Sequence, residues 1–550
     1  MSAILNAEGN YMNIKYNLFL GYGLFMLIFG MGPSGGALAA SVAPGVTLAA
    51  GQTLTRNNGS EPASLDPHKS ESDVEFNIIN DFFEGLVTMG PDGHIRPGLA
   101  ERWENSEDGR IWRLYLRPGL QWSNGEPLTA RDVVFSWQRQ VDPATASPYG
   151  SYLANMHLEN AIQIQAGQQP PEALGIRAVD DVTLQITLTR PLSTFLSMLV
   201  HPSLMTVNPR VIARFGDKWT QPGNFVSSGA YTLQRWVVNE RLEGVRNPRY
   251  WDNAHTVINQ VTYLPIVSET ADVNRYKAGE IDITASVPSP QFAALRRELG
   301  EQVHIAPKLA TYYYYFNTRK PPFDDPRVRL ALNLGLDKDV IADKVLGQGQ
   351  RPAWLFSAGK IGGMTLLPPE YAAWPREQRL ARARALLTEA GFGPDSPLHF
   401  TLLYNTSEGH QRIAIAASSM WKKNLGVEAA LNNQEWKTML DTMRSGNFDL
   451  VRSGWVADYD DPSAFLNTFR SADSNNTPQY VNPRYDALLA GAADSQDPEK
   501  RQQLFQQAET ILAAEVPAIP LYHYVSVRLV KPHVGGFRAA NKTVQQSASR

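Results

Sequence analysis

Short apolar runs with two different periods alternate along this chain. Residues 111–116, IWRLYL, alternate hydrophobic and polar positions with period two and predict a strand. The turn residues Pro118-Gly119 and Asn124-Gly125 follow it. Thr129 then opens a helix. Asp132, three residues on, completes a capping box, and Val133 and Trp137 share an apolar face. Residues 183–188, TLQITL, predict another strand, and residues 231–246 predict a hairpin of two strands.

Beyond residue 310 the alternation is more regular. Residues 312–317, YYYYFN, predict a strand, and Asp325-Pro326 opens a helix with Asp as cap and Pro at its first position. Residues 399–404 predict a strand, 411–423 a helix and 427–431 a strand. That is a βαβ unit, whose strands are expected to run parallel with a right-handed crossover. A helix over 435–444 is stopped by Gly446, with a strand at 448–451 behind it. A helix over 499–514 carries Leu504, Phe505, Ala508, Ile511 and Leu512 on one face. There is no internal repeat and no long low-complexity linker, and the tail from Lys542 is polar and expected to fray. The pattern is that of a mixed α/β protein. At 550 residues the chain exceeds one hydrophobic core, and about two to four domains are expected.

The N-terminus breaks the pattern. Residues 17–31, NLFLGYGLFMLIFGM, form one apolar run preceded by Lys15 and followed by Gly35, Gly36, Ala37 and Ala39. This is the layout of a secretory leader, with cleavage expected after Ala39 and either Met1 or Met12 as the start. A membrane anchor is the other reading, but the run is short and interrupted by Gly21, Gly23 and Gly30.

Composition narrows the function. With 43% hydrophobic and 19% charged residues the chain is an ordinary globular one. A net charge of -3 gives no global basic excess for nucleic acid. The absence of cysteine excludes disulfides, cysteine-ligated zinc, iron–sulfur clusters and thiol nucleophiles, and an exported chain without cysteine fits a periplasm. The 12 Trp, 21 Tyr and 21 Phe supply core and also suit ligand cavities. Phosphate-loop, dinucleotide, zinc-protease and serine-hydrolase motifs are missing, and none of the ten histidines sits four residues from another on a helix. No metal and no cofactor are therefore expected. Asp458, Asp460 and Asp461 read either as a carboxylate cluster for calcium or glycoside chemistry or as a solvated acidic turn. A ligand-binding protein is favoured over a hydrolase.

Several segments carry a family resemblance. They are NNGSEPASLDPHKSES (57–72), GLAERWENSEDGRIWRLYLRPGLQWSNGEPLTARDVVFSWQR (98–139), SGAYTLQRWVVNERLEGVRNPRYWDN (228–253), YYYYFNTRKPPFDDPRVRLALNLGLDKDVIADKVL (312–346) and GWVADYDDPSAFLNT (454–468). The chain resembles the large periplasmic peptide-binding proteins of ABC importers, close to the oligopeptide and murein-tripeptide binders. The resemblance implies a bilobal α/β fold of three domains with mixed sheets and a hinge. Domain I would be discontinuous (40–83, 208–309, 526–550), domain II would span 84–207 and domain III 310–525. It implies a monomer that captures a short peptide and hands it to permease subunits in the inner membrane, without catalysis.

The resemblance also implies site residues. Asp458, in the family's Ala-Asp-Tyr motif, would pair with the peptide α-ammonium, and Arg452 would lie near the peptide's C-terminal end, its fork suited to a carboxylate. His410 would approach the C-terminus of longer peptides, and Glu71 would line the cavity. Tyr149, Tyr313, Trp436, Trp455 and Tyr524 would surround the ligand. Two cations of the subgroup are replaced by Leu346 and Met443, with Arg444 one residue further on but turned about 100° away on a helix. The subgroup's cysteine pair would fall at Ala310 and Val456. The lost cations keep a murein peptide or a non-peptide amphipathic anion open as ligand, and a periplasmic hydrolase using Asp458 or Asp460 remains the enzymatic rival.

Overall fold

The period-two segments become strands and the capped segments helices. The computed structural model describes Val42, residues 45–90 and residues 93–537. The leader expected over residues 1–39 and the polar tail from Lys542 lie outside the described residues. The helix opened by Thr129 spans Ala130–Val141, with its capping box closed by Asp132. Such a cap contributes about 1 kcal/mol. The buried Asp132 carboxylate also accepts from Trp122 Nε1 at 2.9 Å and Arg210 Nη1 at 3.2 Å. One cap thus ties three segments together, while Val133 and Trp137 are fully buried beneath it.

Three main sheets organise the described chain. In the first, strand Thr53–Asn57 lies parallel to Gln260–Leu264, which continues antiparallel through Arg241–Arg246 to Tyr231–Val237. The last two are the expected hairpin. The second is fully antiparallel, in the order Ala100–Asn105, Ile111–Leu116, Thr183–Thr187, Ile176–Ala178. The third has six strands, ordered Arg351–Pro352, Ala518–Leu529, Val303–Phe316, Leu450–Val456, His399–Asn405, Glu428–Gln434. The expected βαβ unit is its outer part: His399–Asn405, helix Glu408–Leu425 and the parallel strand Glu428–Gln434, in register from His399 opposite Glu428.

Two strands are longer than their apolar runs. The YYYYFN strand begins at Val303, and its more exposed first half, VHIAPKL, is stabilised by pairing with Ala518–Leu529. A register shift falls between Pro307 and Thr311, as expected near a proline that has no N–H for the ladder. The strand expected at 448–451 runs instead from Leu450 to Val456, because Val303–Phe316 covers its polar middle, with Tyr314 opposite Arg452. Ala310 and Val456, where the subgroup's cysteines would stand, are direct cross-strand partners.

From Ala310 to Phe316 the long strand is buried on both faces. Tyr312, Tyr314 and Phe316 join one core cluster, and Tyr313 and Tyr315 join another on the opposite face. A strand with two buried faces reads as a continuous apolar run. Leu346, on the short helical turn Ile341–Leu346, packs into the first cluster, and Met443, on helix Trp436–Ser445, packs against the second. Near Leu529 the long pair is linked to the first sheet through residues 283–284: Thr284 N–H donates to Leu529 O at 3.0 Å, and Asn57 N–H donates to Ile283 O at 3.0 Å.

Candidate functional site

The candidate site is built on strand Leu450–Val456 and the turn that follows it. Arg452 projects from the strand into an aromatic cluster and is only 8% exposed. Its Nη1 donates to Asn405 Oδ1 at 2.9 Å and its Nη2 to the Tyr524 hydroxyl at 2.5 Å. Its guanidinium carbon lies 4.6 Å from the Tyr312 ring centre. Nε is buried without an acceptor, and among the described residues no carboxylate pairs with this cation. Burial works against its charge, but the oxygens of Tyr524, Tyr312 and Tyr522 outweigh burial and hold it protonated. A buried cation supported only by neutral groups retains the capacity to pair with a carboxylate.

Close approach of strand to ring depends on Gly454. A Cβ there would lie 3.0 Å from the Tyr524 hydroxyl and 3.2 Å from Thr311 O. His410 stands beside the same cluster, with its Nδ1 3.2 Å from the Tyr312 hydroxyl. Burial, then Arg452 and Arg412, push its pKa well below the usual histidine value. This places His410 beside Arg452 as a neutral hydrogen-bonding group.

One residue past the strand, the chain is still fastened to the neighbouring strand Val303–Phe316: Ala457 N–H donates to Leu309 O at 2.8 Å. This fixes Asp458, 11% exposed, at an opposite pole. Its Oδ1 lies 3.2 Å from His201 Nε2, and His201 is 3% exposed. The His201 ring packs against Tyr149 at 4.2 Å, Tyr152 at 4.9 Å and Phe76 at 5.2 Å. Its Nδ1 accepts from the backbone N–H of Ser203 at 3.2 Å, which leaves the proton of the neutral ring on Nε2, facing Asp458. A cavity beside Asp458 is lined by Tyr149, Ser151, Asn155, Trp455 and Asp473. Burial, then the Asp458 carboxylate, raise the pKa values of Tyr149 and Tyr152 well above the usual phenol value, so both are neutral donors.

Asp458 and Arg452 are separated by six positions of one nearly continuous strand, about 20 Å at most at 3.3 Å per residue. An anionic and a cationic pole at this spacing suit an extended zwitterion. Trp455 lies between them in sequence; its Nε1 donates to Ala464 O at 2.7 Å and its ring stands 6.1 Å from Tyr149. Tyr524 belongs to the Arg452 pole. Glu71 instead pairs with Arg444 on helix Trp436–Ser445, and burial raises its pKa against the pull of that arginine. Tyr313 is not brought to either pole. It is fully buried on the opposite face of its strand, with its hydroxyl donating to Phe356 O. Trp436 packs on that same core cluster. The poles also hold His201, Asn405, Tyr312 and Tyr522, which sequence reasoning did not single out: the first two and Tyr522 come from distant segments with no local motif, and Tyr312 is hidden in a run of four tyrosines.

A profile for bacterial extracellular solute-binding proteins, family 5 Middle, matches residues 94–477. The chain belongs to this family. It is 52% identical over 502 residues to the periplasmic oligopeptide-binding protein OppA of Escherichia coli K12, covering 91% of this chain and 92% of that one. The crystal structure of Haemophilus influenzae OppA in complex with the peptide RPPGFSPFR is 45% identical, with a TM-score of 0.87 over 88% of this chain and 96% of that one. The Escherichia coli murein tripeptide binding protein MppA gives a TM-score of 0.90 at 45% identity, over 92% and 99% of the two chains. The unliganded open form of MppA gives 0.61 at 46% identity, over 88% and 94%. The solute-binding fold expected from the resemblance is thus that of these structures, and this conformation is nearer the peptide complex than the open form. These relatives are binding proteins, and no helix among the described residues is long and apolar enough to cross a membrane.

Proposed function

We propose that this protein captures short peptides in the periplasm and delivers them to an ABC permease. The three main sheets support a division into three domains, with the peptide extended in the closed space beside strand Leu450–Val456. Its α-ammonium meets Asp458 and its carboxylate end is directed to Arg452, with main-chain bonding to the strand giving affinity independent of side chains. The leader expected over residues 1–39 would supply export, and the protein would act as a monomer without chemistry on its ligand. The observation that carries this reading is the pair of opposite, buried poles on one strand, one of them a guanidinium without a carboxylate.

The apolar packing of Leu346 and Met443 favours one variation: a peptide whose anionic end asks for a single cation, as in a murein peptide or an amphipathic acid. Calorimetry with one tripeptide in free, N-acetylated and C-amidated forms tests the proposal, with mass spectrometry of the recovered ligand. The free form should bind with unit stoichiometry, return unchanged and exceed both blocked forms in affinity. Equal affinities for all three, or turnover of the peptide, would overturn it.

A further inference from the structure

His201 has no part in the proposed contacts, yet its Nε2 lies 3.2 Å from the Asp458 carboxylate. It reaches the pole from far away in sequence, at the start of the short turn Pro202–Leu204, where its Nδ1 holds the Ser203 backbone. Its Nε2 is 3.2 Å from Asp458 Oδ1 but off the line of a good hydrogen bond, so the carboxylate keeps capacity for another donor. The ring is enclosed by Phe76, Tyr149 and Tyr152, and cannot swing away without opening that aromatic box.

We propose that His201 sets the specificity of the amino pole by competing, when protonated, with the ligand's ammonium for Asp458. This rests on the reading of Asp458 given above. With a neutral His201, Asp458 is a desolvated anion that needs a cation, and a ligand with a blocked amino end strands it. With a protonated His201, Asp458 is already paired. A free ammonium then meets a second positive charge, whereas an uncharged end no longer strands the carboxylate. The same cleft therefore changes ligand class with proton activity, from free-amino peptides to ligands whose amino end is blocked or absent.

The groups facing His201 are the Asp458 carboxylate and the neutral phenols of Tyr149 and Tyr152. The helix that carries Phe76 also carries Asp73, paired with Lys308, and Glu75, whose carboxyl is pushed up to about 7 by burial. Glu71, paired with Arg444, precedes that helix. Glu75 can titrate in the same range and burial raises Glu71 as well, so the imidazole must be isolated from them. His201→Gln keeps an N–H donor and both glutamates but removes the titration.

The experiment compares the affinities of a free and an N-acetylated peptide at pH 7 and pH 5, where the ligand ammonium stays charged. In the wild type the ratio of free to acetylated affinity should fall at least about tenfold from pH 7 to pH 5, and in His201→Gln it should stay constant. Calorimetry of the wild type in two buffers of different ionisation heat gives a second readout that needs no variant. Near pH 6, binding of the free peptide should release protons and binding of the acetylated one should not. A constant wild-type ratio, the same fall in the variant, or no proton release would overturn the inference. Failure of the wild type to bind either peptide would instead overturn the peptide-binding reading itself.

Discussion

Asp458 and Arg452 make opposite demands, and their truncations should fail differently. Asp458→Ala should weaken binding of a free-amino peptide by about 2–5 kcal/mol, because the ligand ammonium is left buried without its anion. N-acetylation should then harm the wild type far more than the variant; equal losses by calorimetry would dismiss the ion pair. At the other pole His410 is held neutral, so on the proposed reading a ligand carboxylate would rest on Arg452, whose charge persists at all accessible pH. The ratio of free-acid to C-amide affinity should therefore stay flat between pH 5.5 and 7.5, and Arg452→Gln should abolish the preference for the free acid. A ratio that falls across that window would restore His410 as a cation. The sequence showed Asp458 through its motif, but it could not show that Tyr313 faces the core while Tyr312 faces Arg452. Strand alternation decides that, and a run of four tyrosines hides the alternation.

Elements with strong ends were legible and elements with covered middles were not. The Thr129 box, the Asp325-Pro326 start and the Gly446 stop each satisfy terminal backbone groups locally, so neighbouring residues alone determine them. The limits of Val303–Phe316 and Leu450–Val456 depend instead on each other, across more than a hundred residues of chain. Their register gives a test. Direct antiparallel partners have Cα atoms about 4.5–5.5 Å apart, within disulfide range. Ala310→Cys with Val456→Cys should form a bridge on oxidation and raise stability by about 2–4 kcal/mol. Mass analysis showing two free thiols after oxidation would contradict this register.

At the scale of the whole molecule, segments 148–155 and 470–475 meet beside the Asp458 cavity. Asn155 Nδ2 donates to Asp473 Oδ2 at 2.9 Å, Ser474 N–H to Ser151 Oγ at 3.0 Å, and Ser474 Oγ to Pro148 O at 2.6 Å. Each bond is worth about 0.5–1.5 kcal/mol net. Asn155→Ala with Ser474→Ala should therefore weaken peptide binding by about 1–3 kcal/mol, mainly through faster release, and expand the ligand-free protein in X-ray scattering. Unchanged release would mean that these bonds do not hold the closed form. Such a contact was invisible in the sequence because neither segment carries a motif and their partners lie over three hundred residues apart.

The fastening of Ala457 to Leu309 has a further consequence. Both poles belong to one rigid edge, so no hinge movement changes the gap between them. On the proposed reading such an edge is a caliper with its jaws locked: it would gauge a peptide in the open protein, and closing would merely cover a length already accepted. Sensitivity to length and sensitivity to closure are then separate properties. Loosening the 148–155 contact should shorten the residence of every peptide by a similar factor and leave their ranking by length intact.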